Sequence, residues 1–230
     1  MRQAVILAGG QATRMRPYTD DRPKAMVEVA GRPILEHQLR WLASGDVHDV
    51  VLSVGYKSEV IRDHIGDGAA LGMRVQYAVE DEPLGRGGGL RFAALRLPHP
   101  DEGWYGMNGD VLSRFDIGEL AAQHERLGAT ATIALAPYRT TWGIADLEGD
   151  LVRGFVQSPR LPYWINAGIY CMGPEMVGLL PEKGDHEDST FPSLALAGKL
   201  GAYRIEGYWR GIDTVKDVKE ASADLLSGTV

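Results

Sequence analysis

The chain has 230 residues, 44% of them hydrophobic, and a net charge of −7. An acidic protein repels a phosphate backbone, so this charge excludes a sequence-independent nucleic-acid binder but not a nucleotide bound at local cations. No apolar run approaches the length of a membrane span, and the apolar part of the N-terminus is too short for a signal peptide. We therefore expect a globular protein with neither a membrane nor a nucleic acid as partner.

The chain contains one cysteine, Cys171, which lies inside an apolar run. One cysteine cannot form an intramolecular disulfide, which fits a reducing compartment and favours a cytoplasmic location. The apolar surroundings predict a small buried side chain rather than a nucleophile.

Strands and helices alternate in the first half of the chain. The apolar runs predict strands at 4–8, 50–54, 73–79 and 104–107, and helical periodicity predicts helices at 33–44 and 58–65. Gly45 and Gly66 mark the ends of these two helices. A third helix is predicted at 90–95, after the glycines at 87–89. This alternation implies right-handed crossovers and a mainly parallel sheet.

The second half of the chain is richer in short β runs, predicted at 129–136, 144–147, 151–155 and 165–172. Gly149 and Asp150 mark a hairpin between the second and third of these runs. Helices are predicted at 174–180, 190–198 and 215–226. The first and last of these helices could pack on the core or on a second subunit, which leaves a homo-oligomer open.

Polar residues follow the predicted strands, where ligands bind in open parallel sheets. Gly9 and Gly10 follow the first strand and allow close approach to the backbone. Residues 80–89 follow the third strand, and Asn108, Gly109 and Asp110 follow the fourth. The glycine spacing fits neither a P-loop nor a dinucleotide fingerprint. Taken singly, Arg14 and Lys24 would be surface cations and Asp110 a helix cap.

Six segments occur in order over nearly the whole chain: "LAGGQATRMRP", "RPKAMVEVAGRPILEHQL", "EDEPLGRGGGL", "NGDVL", "INAGIYCMG" and "GIDTVKDVKEA". Together they resemble the sugar-1-phosphate nucleotidyltransferases, and most of all the mannose- and heptose-1-phosphate guanylyltransferases. The resemblance implies an α/β fold, a Rossmann-like three-layer α/β/α sandwich with a mainly parallel central sheet and a β-rich sugar-binding insertion. It implies one domain over 1–230, with a nucleotide-binding part at about 1–115 and a sugar- and metal-binding part at about 116–230. The implied partners are a nucleoside triphosphate and a sugar 1-phosphate, joined with release of pyrophosphate.

The same resemblance implies three catalytic residues and a metal site. Arg14 would bind the triphosphate and Lys24 would hold the attacking phosphate. Asp110 and Asp213 would hold Mg²⁺, a cation that suits carboxylate and phosphate oxygens. A structural alternative for Asp213 is a helix cap shared with Thr214.

The resemblance also implies two sets of binding residues. The nucleotide-binding residues would be Leu7, Ala8, Gly9, Gly10, Thr13, Arg14, Glu80, Pro83, Gly85, Asn108 and Gly109. The sugar-phosphate-binding residues would be Lys24, Gly143, Gln157, Asn166 and Ala167.

Glu80 occupies the position that faces the base in this family. A carboxylate only accepts hydrogen bonds, and its two oxygens match the paired N1–H and N2–H₂ donors of guanine. Uracil and thymine offer a single N–H between two carbonyls. We therefore predict GTP as the substrate and a GDP-mannose or GDP-heptose type of product, with UTP or dTTP as the alternative.

Three positions depart from the family pattern. Ala12 replaces a glycine, and we expect its methyl group to keep the backbone in an ordinary conformation. Arg86 replaces a commoner threonine and would either contact a phosphate or face solvent. Ser158 replaces a lysine that contacts the sugar phosphate, for which Arg160 or Arg210 could compensate.

Two other classes of protein remain as alternatives. A glycosyltransferase of the same fold would use a D-x-D motif, and "NGDVL" lacks its first acid. A non-catalytic nucleotide-sensing subunit would be expected to lose Arg14, Lys24 or a metal ligand, all of which are present.

Overall fold

The computed structural model describes residues 1–10, 12 and 15–228. The strands are β1 (Gln3–Leu7), β2 (Glu28–Val29), β3 (Arg32–Pro33), β4 (Asp49–Val54), β5 (Arg74–Val79), β6 (Trp104–Asn108), β7 (Val111–Arg114), β8 (Ala131–Arg139), β9 (Gly143–Glu148), β10 (Leu151–Gln157), β11 (Arg160–Met172), β12 (Leu200–Arg204) and β13 (Tyr208–Gly211). The helices are α1 (Ile34–Ser44), α2 (Ser58–Ile65), α3 (Gly85–Ala94), α4 (Ile117–Leu127), α5 (Met176–Leu179), α6 (Thr190–Leu196) and α7 (Val215–Leu226). Within these residues, no helix has both the length and the apolar character needed to cross a bilayer.

Seven strands form the central sheet, in the order β12-β8-β11-β6-β1-β4-β5. The pairs β1–β4, β1–β6, β4–β5 and β8–β12 are parallel, whereas β11 runs antiparallel to both β6 and β8. All six residues of β4 are buried, as a strand covered on both faces requires. The predicted mainly parallel sheet is therefore confirmed.

Helices cover both faces of the sheet. On one face, α1, α2 and α4 contribute Leu39, Ile61 and Leu120 to a buried cluster with sheet residues. On the other face, α3, α5 and α6 bury Leu90, Met176 and Phe191 among others. The three-layer α/β/α arrangement is thus confirmed. Helix α7 packs on a smaller cluster through Val218 and Ala221, so both α5 and α7 pack on this chain's own core.

Helix α3 begins earlier than predicted, because Gly85 to Gly89 lie inside the helix rather than before it. The loop that follows α5 packs directly on this glycine-rich turn. Gly87 N and Gly88 N donate to Gly184 O at 2.9 and 3.1 Å, and a Cβ atom on Gly87 would lie 2.7 Å from His186 N. A bare backbone allows this close approach, which outweighs the low helix propensity of glycine.

The predicted hairpin between β9 and β10 is confirmed, with Gly149 at a φ of +57°. Both faces of this hairpin are largely exposed, and Phe155 remains 64% exposed. Helix α4 and strands β7, β12 and β13 were not predicted. Asp116 caps α4 by accepting a hydrogen bond from Gly118 N at 2.8 Å.

Candidate active site

A cavity of about 840 Å³ lies outside the carboxyl ends of β1, β4, β5 and β6. Of the predicted site residues, it is lined by Leu7, Ala8, Gly9, Gly10, Lys24, Glu80, Pro83, Gly85, Asn108, Gly109 and Asp110. Thr13 and Arg14 lie outside the described residues. Most of the nucleotide-binding residues that were predicted from their position after a strand therefore line one cavity.

Lys24 reaches this cavity from a short 3-10 turn, Lys24–Met26, that is anchored by buried Ala25 and Met26. Lys24 N donates to Gly10 O at 3.2 Å, which ties the turn to the glycine loop after β1. The backbone of Lys24 is therefore fixed next to Gly10.

The Lys24 ammonium bridges the two predicted metal ligands. Its Nζ atom donates to Asp110 Oδ2 at 2.8 Å and to Asp213 Oδ1 at 2.7 Å, and the Lys24 side chain is only 12% exposed. Burial on its own would lower the pKa of Lys24, but the two carboxylates raise it above its usual value. The lysine is consequently held in its charged form.

Backbone pairing explains how two acids that are distant in sequence meet. Strand β13 pairs antiparallel with β7, with Gly211 opposite Val111, and Ile212 N donates to Asp110 O at 2.9 Å. Asp213, just after β13, therefore lies next to Asp110, just before β7. Of the helix cap that Asp213 and Thr214 were expected to share, Thr214 makes the cap of α7, in a capping box with Asp217. The Asp213 carboxylate instead accepts from Lys24 Nζ.

The two carboxylates fit a divalent cation. They already hold one cation, the Lys24 ammonium, between their oxygens. Among the described residues there is no group of three or more His, Cys, Asp or Glu side chains that could enclose a metal. Mg²⁺ suits such a site, because it is commonly bound by one or two carboxylates with water and substrate phosphate as the other ligands.

Glu80 lies in the same cavity and is held from two sides. Ser53 Oγ donates to Glu80 Oε1 at 2.6 Å, and Leu84 N donates to Glu80 Oε2 at 3.0 Å. The carboxylate therefore has contacts to the end of β4 and to the start of α3.

The other predicted sugar-phosphate residues do not line this cavity. Gly143 and Gln157 face each other across the base of the β9–β10 hairpin. Asn166 Nδ2 donates to Glu187 Oε1 at 2.7 Å. Ala167 is fully buried, and its carbonyl oxygen accepts a hydrogen bond from Trp209 Nε1 at 2.8 Å.

One expectation about the departures is wrong. Ala12 has a φ of +44°, in the left-handed region, although we expected an ordinary conformation. The glycine loop keeps the backbone geometry that a glycine would prefer, at a cost of about 1 kcal/mol for the methyl group.

The cations that could have served the substrate phosphates have protein partners. Arg86 lines the cavity, where it binds Asp185 at 2.7 Å and Glu187 at 2.5 Å, and its side chain is 46% exposed. A contact from Arg86 to a phosphate stays a prediction. Arg210 binds Glu220 at 2.7 Å on α7. Arg160 lies 5.5 Å from the ring centroid of Trp164.

Eight lining residues were not named among the predicted binding residues, although three of them, Asp81, Glu82 and Arg86, lie in the segment 80–89 that was expected at this edge. The other five are Ala25, Ser53, Gly55, Tyr56 and Asp185. Ser53, Gly55 and Tyr56 stand at the end of β4, so the strand-end rule could have found them. Asp185 comes from the loop after α5, and no local signal marks it.

The described residues also enclose a cavity of about 590 Å³ between α1 and β7, lined by Arg32, His37, Trp41, Arg114 and Phe115 among others. None of the predicted site residues lines it. Gln38 lines this second cavity, and its Nε2 atom donates to Asn108 O at 2.8 Å and Val111 O at 2.9 Å. Gln38 thus supports the segment that carries Asp110.

Comparison with known proteins agrees with this geometry. The profile of the family described as "Nucleotidyl transferase" matches residues 3–228. Mannose-1-phosphate guanylyltransferase of Mycobacterium tuberculosis is 35% identical over 98% of this chain and 65% of its own length. Mannose-1-phosphate guanyltransferase of Debaryomyces hansenii is 35% identical over 99% of this chain and 64% of its own length. The chain therefore spans somewhat less than two thirds of these relatives.

Solved structures share the fold over nearly their full length. The crystal structure of HddC from Yersinia pseudotuberculosis has a TM-score of 0.79 at 25% identity, covering 98% of this chain and all of that one. HddC complexed with GMP-PN covers the same shares, with a TM-score of 0.76 at 25% identity. With a family profile that matches almost every residue and with relatives at 35% identity, the chain belongs to the nucleotidyl transferase family.

Proposed function

We propose that the protein transfers GMP from GTP to a sugar 1-phosphate, forming a GDP-sugar and releasing pyrophosphate. One observation carries this proposal: a single cavity contains both the Glu80 carboxylate and the Lys24 ammonium with its partner Asp110. The first group suits a guanine base, and the second suits phosphate groups and their counter-ion.

The reaction is a displacement at the α-phosphorus of GTP. A phosphate oxygen of the sugar 1-phosphate forms a new bond to that phosphorus, and the bond to the bridging oxygen of the β-phosphate breaks. The pyrophosphate leaves with the bonding electrons, and no proton needs to move. Because both reactants are anionic, catalysis depends on neutralisation and alignment.

The residues of this chain divide that work. Lys24 would exchange its carboxylate partners for the attacking phosphate, and Arg14 is our predicted contact to the triphosphate. Asp110 and Asp213 would hold Mg²⁺, which neutralises phosphate charge when bound. The backbone of Gly9 and Gly10 would allow the phosphates to approach closely.

The relatives support guanine as the base and mannose as one sugar. Two similar proteins are named as mannose-1-phosphate guanylyl- or guanyltransferases, and a structural neighbour was solved with GMP-PN. Glu80 provides the acceptor-only edge that guanine requires.

The test is a matrix of GTP, UTP, dTTP and ATP against mannose, heptose and glucose 1-phosphates, with pyrophosphate release as the readout. We expect turnover with GTP to exceed turnover with UTP by about ten- to a hundredfold, because a mismatched base leaves polar groups unpaired. Comparable turnover of GTP and UTP would contradict the proposal. A glycosyltransferase releases no pyrophosphate, and a sensing subunit binds nucleotide without turnover.

A further inference from the structure

The carboxylate of Glu80 is held by two hydrogen bonds from different parts of the fold. Ser53 is fully buried at the penultimate position of β4, and its hydroxyl group donates to Glu80 Oε1 at 2.6 Å. Leu84 N donates to the other oxygen at 3.0 Å. Each oxygen of Glu80 is thus bound to a different element of the fold.

The backbone adds two further restraints. Glu80 N donates to Val54 O at 2.8 Å, which extends the pairing between β4 and β5 into the loop. A Cβ atom on Gly89 would lie 2.9 Å from Glu80 Oε1 and 3.2 Å from Ser53 Oγ. The carboxylate therefore lies against the bare backbone of α3, with no space for a side chain between them.

This arrangement leaves a defined acceptor capacity. A carboxylate offers about four acceptor sites, and the contacts to Ser53 and Leu84 use one on each oxygen. Counting the contacts within residues 1–10, 12 and 15–228, one site remains on each oxygen, which is the requirement for two parallel donors. The terminal torsion of a glutamate is broad, so a carboxylate without these contacts would not keep both sites aligned.

We propose that Ser53 is a positioning residue for base selection, acting by fixing the carboxylate of Glu80 against guanine. The inference rests on the proposed use of GTP. In this role Ser53 does not touch the base. It fixes Glu80 before the nucleotide arrives, so that the orientation is not lost on binding.

The experiment compares GTP with ITP, which lacks the N2 amino group and so removes one of the two donors. The ratio of kcat/KM for GTP to that for ITP is measured for each variant on one preparation, so the fraction of active protein cancels. We expect a ratio of about ten or more for the wild type, since a site built for a donor rejects an analogue that lacks it. Ser53→Ala should lower the ratio roughly fivefold or more, because a free carboxylate aligns poorly with a second donor.

Two further variants sharpen the test. Ser113→Ala removes another buried serine hydroxyl, which donates to Tyr208 O at 2.9 Å and lines only the other cavity; it should keep the wild-type ratio. Gly89→Ala would place a methyl carbon 2.9 Å from Glu80 Oε1 and 3.2 Å from Ser53 Oγ. It should therefore disturb the contact between Ser53 and Glu80 and lower the ratio even if Ser53→Ala fails to fold.

The outcomes separate the two proposals. Equal turnover of GTP and UTP by the wild type overturns the proposed function. A wild type that prefers GTP, with an unchanged GTP-to-ITP ratio in Ser53→Ala or, if that variant does not fold, in Gly89→Ala, overturns the role of Ser53 alone. A lowered ratio in these variants with an unchanged ratio in Ser113→Ala supports it.

Discussion

Lys24 is bound to both carboxylates that we expect to hold Mg²⁺. A divalent cation and the lysine therefore compete for the same oxygens while substrates are absent. The Lys24 side chain is largely buried, but Asp110 and Asp213 are 36% and 55% exposed, so water partly screens this competition. The lysine offsets one of the two negative charges of the acids.

Replacing Lys24 by methionine should have opposite effects on metal binding and on turnover. Lys24→Met leaves two carboxylates without their shared cation, so the affinity for Mn²⁺ without nucleotide should rise about tenfold. Turnover should fall on the order of a hundredfold or more, as for other pre-placed charges. Free Mn²⁺ can be measured by electron paramagnetic resonance.

Lys57→Met is the matched control for Lys24→Met. Lys57 is a half-buried lysine whose Nζ atom donates to Asp20 O at 2.7 Å, and its loss changes the net charge equally. Its Mn²⁺ affinity should stay at the wild-type value. An unchanged affinity in Lys24→Met would show that the lysine does not compete with the metal.

The two acids themselves should be essential for turnover. Asp110→Asn and Asp213→Asn should each remove most pyrophosphate release, because a neutral amide binds Mg²⁺ more weakly than a carboxylate. Their circular dichroism spectra should match the wild type. Undiminished activity of either variant, or of the wild type in EDTA, would contradict the metal assignment.

The sequence predicted the functional side chains of the site, but not the side chains that hold these in position. Lys24, Asp110 and Asp213 could be named because their residue types and motifs are local. Ser53 looks like an ordinary strand residue, and its contact to Glu80 depends on how β4 and α3 are packed. The prediction for Ala12 was wrong because it considered only the preference of alanine for a negative φ and not the surrounding loop.

Helix α3 and the loop after α5 behave as one element. The first turn of α3 presents bare backbone to Gly184, and Arg86 from the same turn binds Asp185 and Glu187. Glu187 in turn accepts hydrogen bonds from Asn166 and Tyr170. The cavity that contains Lys24 and Glu80 is thereby connected to Asn166, one of the predicted sugar-phosphate residues.

Gly87→Ala tests this contact between helix and loop. The new methyl carbon would lie 2.7 Å from His186 N and 2.9 Å from Gly184 O. We expect the free energy of unfolding to fall by about 1–3 kcal/mol, although alanine favours the helix. Urea unfolding followed by circular dichroism measures it.

Gly178→Ala provides the comparison, because this glycine of α5 has open space around the position of a Cβ atom. Its unfolding free energy should be unchanged or rise by up to about 1 kcal/mol. Equal changes in the free energy of unfolding for the two substitutions would mean that the loop after α5 does not limit the space at Gly87.

Element prediction succeeded where periodicity is strong. The four strands predicted for the first half (β1, β4, β5 and β6) and α1 lie within one residue of their predicted bounds, and α7 matches its prediction. Strands β2, β3 and β7 of the same half were not predicted. The start of α3 was missed because glycine normally disfavours a helix and the compensating loop is about a hundred residues away. Strand β12 was missed because it is short and half exposed, so it lacks a clear apolar pattern.

His186 makes the stability of the whole molecule depend on pH. It is fully buried between the rings of Tyr170 and Phe191. Burial, assisted by Arg86 and opposed by Asp185, lowers its pKa to about 4. An unfolded histidine has a pKa of about 6.5, so the unfolded chain binds a proton first as the pH falls.

Because the unfolded chain binds this proton first, the folded protein loses stability as the pH falls. The contribution of neutral His186 is complete above about pH 6.5 and is lost between pH 6.5 and 4, amounting to about 3 kcal/mol. His186→Leu should flatten this part of the stability curve, measured by urea unfolding at a series of pH values. A wild-type slope in His186→Leu would contradict the assignment.

The strand order of the sheet has a consequence for the chain during its synthesis. Strand β6 pairs with β1 on one side and with β11 on the other, yet β11 begins only at Arg160. Ribosomes add roughly 5–20 residues per second, so several seconds separate the two strands. During that interval the inner edge of β6 is open, and an open edge can pair with another chain. The nascent protein is therefore most prone to aggregation before β11 emerges, and protection by a chaperone would matter most at that stage.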